Sequence, residues 1–294
     1  MRRSMLFLPG NNPNMLINAG CLGADAVIFD LEDAVSPAEK DAARILVRNT
    51  MRFMDLNGCE VIVRINSVDT PYWKADIDAI LPQKPDLILL PKTSCPADAL
   101  TADAYISEVE SNLGFEDGTI GLMPLIETAA GVENAFGIVS CSPRVEALFL
   151  GAEDLTADLQ CRRTKEGREI EYARTRLVVA ARAAGKEVYD TPFTDVNDDE
   201  GILTDAKLAK DLGFTGKASI SPRHVDVINS VFSPSEAEID YAWEVIDAIR
   251  IANETGKGAI ALRGKMIDAP IVARAQRTIA MAESLGMNRR GDNE

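Results

Sequence analysis

Two carboxylates that close neighbouring apolar runs are the residues of this 294-residue sequence with the clearest capacity for chemistry. Glu127 ends MPLIE, and Asp154 follows LFLGAE. If the two runs are adjacent strands, about 4.8 Å apart, both side chains can grip one small cation. Mg2+ takes one or two protein carboxylates and fills its octahedron with water and substrate oxygens, so the pair suits it. The competing account is that each carboxylate pairs with a nearby Arg or Lys. Arg64, within VIVRIN, sits in an otherwise apolar run where an unpaired guanidinium is costly to desolvate, so it must face a carboxylate. That carboxylate is either a substrate's or belongs to Asp30 or Glu32, and both pairings can hold together.

Supporting candidates surround this trio. In Asp30-Leu31-Glu32-Asp33 an extended backbone puts Asp30 and Glu32 on one side and Asp33 on the other, so the three cannot serve one ligand. They are expected behind the ligand groups, orienting Arg64 and metal-bound water. Lys92, in LLPK, is either a cation beside the site or a snorkelling surface group. Gly151 and Ala152 are small enough to bring backbone amides up to an anion, or else they make a tight strand exit. Asp268, before Ala269-Pro270, is by default the cap of the last helix.

Absences narrow the chemistry further. The single histidine, His224, cannot build a zinc-protease motif, and there is no GxSxG elbow. Neither GxGxxG nor a phosphate-binding GxxxxGK[ST] occurs. Lys92, Lys217 and Lys265 lack a setting that would depress a Schiff-base lysine. The five cysteines, Cys21, Cys59, Cys95, Cys141 and Cys161, contain no CxxC pair, which argues against a zinc site and a disulfide framework and for a reducing cytoplasm. The apolar stretch after Arg2-Arg3 stops at Pro9-Gly10, too short for a signal segment, and no run approaches a membrane span. A net charge of -15 should repel nucleic acid and anionic lipid, so a small anionic substrate needs a local cation such as Arg64.

The strand ends must be brought together by a scaffold, and the spacing predicts one. Eight short, nearly all-apolar runs alternate with helical stretches: Met5 to Leu8, Ala26 to Leu31, Val61 to Ile65, Leu87 to Leu90, Gly121 to Ile126, Ala147 to Leu150, Glu187 to Tyr189 and Ala218 to Ile220. Eight parallel strands close a (β/α)8 TIM barrel, whose active groups lie where the strands end. Pro96 opens one helix, running through Asn112. Others, Arg168 to Ala184 and Asp198 to Leu212, end at Gly185 and Gly213. The expected organisation is a catalytic barrel over residues 1–230 and a C-terminal helical extension or lid over 231–294. The extension holds a helix near Ser235 to Glu254, a Gly-rich connector Gly256 to Met266, and a last helix from about Pro270.

In order along the chain, RRSMLFLPGNNPNM, GADAVIFDLEDAV, VIVRIN, LLPK, LIETAAGV, LGAEDLTADL, GFTGKASISPRHVDVIN and LRGKMIDAPIVARA resemble the β subunits of citrate lyases, within the HpcH/HpaI-type aldolase and lyase superfamily. The resemblance implies Mg2+ held by Glu127 and Asp154, with Arg64 on a substrate carboxylate. It also implies that Asp268 acts in trans over a neighbouring subunit's site in a homotrimer. The implied reaction is cleavage of a citryl thioester on an acyl carrier protein to oxaloacetate and acetyl carrier protein. The γ carrier and α transferase subunits of the complex are then partners. Ser221-Pro222 departs from the Asn or His that relatives often carry before that proline, which bears on substrate preference. A malyl-CoA or citramalyl-CoA lyase is the neighbouring alternative, and a non-catalytic scaffold subunit is the alternative of another class.

Overall fold

The computed structural model describes residues 2–255 and 260–287. Eight parallel strands form a closed barrel in sequence order, as the eight apolar runs predict. They are β1 (Ser4–Pro9), β2 (Ala26–Asp30), β3 (Glu60–Arg64), β4 (Leu87–Leu90), β5 (Gly121–Ile126), β6 (Ala147–Leu150), β7 (Glu187–Asp190) and β8 (Gly216–Ser219). Closure is made by β1 against β8, where Met5 lies opposite Ala218, while Met5 faces Ala26 of β2 on the other side.

Between the strands run α1 (Pro13–Ile17), α2 (Lys40–Phe53), α3 (Trp73–Ile80), α4 (Pro96–Leu113), α5 (Ala129–Glu133), α6 (Ala135–Ser140), α7 (Ala152–Asp158), α8 (Glu171–Ala183), α9 (Asp199–Leu212) and α10 (Val225–Phe232). Their local chemistry is legible. Pro96 stands at the first turn of α4, where its missing N–H costs nothing, and Gly213 ends α9 in the left-handed conformation, φ 102°. Asp198 caps α9 by accepting from the Gly201 amide at 2.8 Å. The stretch before α8 differs from expectation, because Arg168–Ile170 forms a tight 3-10 turn and the α-helix starts at Glu171.

Successive side chains on a strand point to opposite faces, so the wall sorts the sequence into two cores. Inside lie Met5, Ala26, Ile28, Ile62, Leu89, Leu125, Phe149, Tyr189 and Ala218. Outside, under the helices, lie Leu6, Val27, Val63, Ile88, Leu148 and Val188, packed with Ile77, Ile106, Leu177 and Ile202. Burying a side chain of this size contributes roughly 1.5–3 kcal/mol. The barrel interior is therefore a solid floor, and whatever it supports must sit on top.

The chain divides into two compact units, Met1–Phe232 and Ser233–Glu294. The second contains α11 (Glu236–Thr255), a hairpin of β9 (Ile260–Leu262) and β10 (Lys265–Ile267), and α12 (Ala269–Ser284). The expected Gly-rich connector, Gly256 to Met266, thus carries a two-stranded hairpin, and its residues 256–259 lie outside the described residues. Ala242, Val245, Ile267 and Ala275 form this unit's own small core.

Candidate active site

One further step of the alternation that fills the barrel with apolar side chains produces a polar crown. Two residues beyond Phe7, Ile28, Ile62, Leu125, Phe149, Tyr189 and Ala218 stand Pro9, Asp30, Arg64, Glu127, Gly151, Thr191 and Ile220. All seven line a single cavity of about 520 Å3 at the C-terminal mouth of the barrel, with Phe7, Leu125 and Phe149 as its floor. Asp33, Glu153 and Asp154 also line it, the last two from the first turn of α7. Glu127, Asp154 and Arg64 are therefore brought to one cavity.

Arg64 is clamped at the centre. Its Nε donates to Asp30 Oδ1 at 2.8 Å and its Nη2 to Asp30 Oδ2 at 2.6 Å, a two-point fork. Nη1 lies 3.1 Å from Glu32 Oε2. The guanidinium sits 5.1 Å above the Phe7 ring, which meets Phe149 edge-on at 5.9 Å. Burial works against its charge, but the Asp30 hydrogen bonds and the Glu32 and Glu127 charges more than offset this and raise its pKa. The pairing with Asp30 and Glu32 foreseen as an alternative is present, and Arg64 still faces the cavity.

Glu127 is 3% exposed. Its Oε1 accepts from the Lys92 backbone N–H at 2.7 Å. Lys92 delivers that amide from a left-handed conformation, φ 53°, which a side chain bearing Cβ rarely adopts. Its ammonium meanwhile donates to Glu32 Oε1 at 2.6 Å. On the far side, Gly151 is pressed so close that a Cβ there would lie 2.6 Å from Glu127 Oε2. Burial, followed by the nearby charges of Glu32 and Asp154, pushes the Glu127 carboxyl up to about 8, against the opposing pull of the Lys92 amide and Arg64.

A buried carboxylate short of positive charge, beside a second carboxylate, is what a divalent cation would satisfy. Among the described residues no three His, Cys, Asp or Glu side chains converge as a full cage. Mg2+ needs none, since it keeps several waters or substrate oxygens. Glu127 and Asp154 fit that ion.

The remaining expectations sort themselves out by geometry. The chain leaves extended conformation at Asp30, whose carboxylate accepts the Glu32 amide at 2.9 Å and the Ala34 amide at 3.2 Å, closing a turn. The alternation expected over Asp30 to Asp33 fails there, and Asp33, rather than Glu32, lines the cavity with Asp30. Glu32 sits behind, between Lys92 and Arg64. Neither the Gly151 nor the Ala152 amide is free for an anion: the first donates to Ile126 O at 2.9 Å and the second to Thr191 Oγ1 at 3.1 Å. Asp268 caps α12, accepting from the Ile271 amide at 3.2 Å.

Two supporting residues of the assembly, Lys40 and Asn66, have partners that the sequence does not show. Lys40 is buried, and its ammonium donates to the carbonyls of Leu31 and Glu32, both at 2.7 Å, fixing the turn that holds Glu32. Asn66 binds Leu31 O at 3.0 Å and Asp76 Oδ2 at 2.6 Å. A lysine ten residues after the end of β2 reads as surface, and only the fold brings it back.

Comparison with known proteins agrees with this picture. The family model for HpcH/HpaI aldolase/citrate lyase matches residues 3–222. Over 284 residues the chain is 44% identical to the citrate lyase subunit beta of Leuconostoc mesenteroides subsp. cremoris, covering 97% of this chain and 94% of that protein. It is 35% identical over 283 residues to a (3S)-malyl-CoA thioesterase of Cereibacter sphaeroides, covering 96% and 95%. The structure of a citrate lyase beta subunit from M. tuberculosis complexed with oxaloacetate and magnesium superposes with a TM-score of 0.67 at 29% identity, over 79% of this chain and 97% of that one.

Proposed function

The chain belongs to the HpcH/HpaI aldolase/citrate lyase family, and from that premise we propose that it is a Mg2+-dependent carbon–carbon lyase, the β subunit of a citrate lyase. Its substrate is a citryl thioester on an acyl carrier protein, its products are oxaloacetate and the acetyl thioester, and its partners are the carrier (γ) and transferase (α) subunits. The observation that carries this reading is the buried carboxyl of Glu127 facing the same cavity as Asp154 and a clamped Arg64.

In cleavage the tertiary hydroxyl gives up its proton, the bond to the acetyl carbon breaks as the C=O of oxaloacetate forms, and the electron pair moves into the thioester enolate, which takes a proton at carbon. Glu127 and Asp154 would hold Mg2+, which when bound supplies Lewis acidity to the hydroxyl and carboxylate oxygens of the oxaloacetate half. Arg64 binds a substrate carboxylate. Two of its five N–H donors are committed to Asp30, so the fork is pre-aimed while donors remain for the ligand. The floor of Phe7, Leu125 and Phe149 keeps water from beneath the scissile bond, where it would quench the enolate. Asp268, from a neighbouring copy in a trimer, is the proposed donor to the acetyl carbon.

The test compares cleavage of citryl carrier protein, citryl-CoA and citramalyl-CoA by the reconstituted complex, for wild type and for Glu127→Ala and Asp154→Ala. The expected result is preference for the citryl carrier protein and loss of at least a hundredfold in rate for either variant with assembly intact. Preference for citramalyl-CoA points to the free-thioester lyases instead. Full activity in both variants refutes the metal assignment and favours a scaffold role.

A further inference from the structure

We infer that Thr191 and Lys217 are positioning residues that hold the first turn of α7, and with it Asp154, in register with Glu127. The inference rests on the assignment of those two carboxylates as Mg2+ ligands.

Asp190, the last residue of β7, turns outward from the barrel and plays no part in the cavity. Behind the wall it meets Arg174 of α8, Asp205 of α9 and Lys217 of β8, and none of the four is more than 6% exposed. Arg174 donates to both Asp190 oxygens at 2.9 Å and to Asp205 Oδ1 at 2.7 Å. Lys217 Nζ lies 2.6 Å from Asp190 Oδ2 and 2.6 Å from Asp205 Oδ2. Two cations and two anions cancel. A buried ionic network of this kind usually contributes little stability over well-packed apolar residues of the same volume, so stability is a weak reason for it.

Its geometric output is more informative. Lys217 has a third contact, a 2.6 Å hydrogen bond from Nζ to the carbonyl of Thr191, the residue just after Asp190. That bond fixes the exit of β7. The Thr191 hydroxyl, itself buried, then accepts the Ala152 amide at 3.1 Å. Ala152 is the first residue of α7, and its N-cap is Gly151, which has no side chain to cap anything. Gly151 cannot be exchanged for a capping Ser or Asp, because any Cβ there meets Glu127. Thr191, reaching across from the next strand, therefore does for α7 what its own N-cap residue cannot. Asp154 lies two residues into that helix, so its distance from Glu127 depends on where the helix begins.

Lys217→Met would leave two buried carboxylates against the single guanidinium of Arg174 and so weaken the fold itself, so the deciding variants are Thr191→Val, which keeps shape but removes the hydroxyl, and Thr191→Ser, which restores it. Mg2+ alone is titrated calorimetrically into full-length protein, without substrate, with thermal unfolding followed in EDTA. Thr191→Val is expected to weaken Mg2+ binding about tenfold while Thr191→Ser stays within about twofold of wild type. A Thr191→Val protein that binds Mg2+ as wild type does overturns this inference alone. A wild type that binds no Mg2+ overturns the ligand assignment and the inference together.

Discussion

If Glu127 holds Mg2+ as proposed, the affinity for the ion must depend on pH with a definite sign and size. In the metal-free protein its carboxyl titrates at about 8 instead of an ordinary 4.5, because burial and then the Glu32 and Asp154 charges oppose ionisation. An ion that binds the carboxylate must displace that proton below pH 8. Each pH unit below 8 then weakens binding about tenfold, so affinity at pH 6 is roughly a hundredfold lower than well above pH 8, a difference of about 3 kcal/mol. The linked stability has a definite sign. A carboxyl whose folded pKa is raised takes up a proton on folding between 4.5 and 8, so metal-free stability falls as pH rises through that window. Saturating Mg2+ removes the loss, and the gain in Tm on adding Mg2+ grows from pH 6 to pH 8.5. Calorimetric titration at pH 6, 7, 8 and 9, in buffers of differing ionisation enthalpy, reads both quantities: close to one proton is released per ion at pH 6 and almost none at pH 9. Glu127→Gln imitates the protonated form, and should lose Mg2+ binding while no longer losing stability between pH 6 and 8.5. Affinity that is flat from pH 6 to pH 8 in wild type, or proton release unchanged in Glu127→Gln, refutes the reasoning.

Two further predictions concern the backbone around Glu127. Gly151→Ala sets a methyl group 2.6 Å from Glu127 Oε2 and 2.8 Å from its Cβ, so it should weaken Mg2+ binding more than tenfold while circular dichroism stays that of the wild type. Lys92 holds φ 53°, so Lys92→Gly and Lys92→Ala, which both remove the ammonium from Glu32, should differ by about 1 kcal/mol in urea unfolding, with glycine the more stable. Equal stability of the pair would mean that the loop relaxes out of the left-handed conformation when the side chain is lost.

The barrel was readable in the sequence because a parallel strand buried on both faces must be apolar throughout, and eight such runs leave one closed arrangement. Glu127 and Arg64 were readable for the same reason, since a charge at the end of an apolar run stands out. The errors lie where the chain leaves regular structure. Strand alternation was carried past Asp30 into a turn that Asp30 itself closes, which exchanged the places of Glu32 and Asp33. The small size of Gly151 and Ala152 admits either an anion at their amides or a tight strand exit, and the amides are in fact taken by Ile126 O and Thr191 Oγ1, acceptors that come from other strands. Lys40 gives no local signal because its partners, the carbonyls of Leu31 and Glu32, are reached only through the fold, and strand-end position alone marks Asn66 and Thr191 without showing what they hold.

The crown itself has a kinetic consequence. Among the residues lining the cavity, Asp30, Asp33, Glu153 and Asp154, joined by Glu127 once it gives up its proton, outnumber the one guanidinium of Arg64. An incoming dianion meets a repulsive field in the metal-free enzyme, whereas a divalent ion is drawn in. The expected order of loading is therefore the ion first and the acid-bearing substrate second, which initial-rate kinetics with Mg2+ and substrate varied together would read as an ordered pattern.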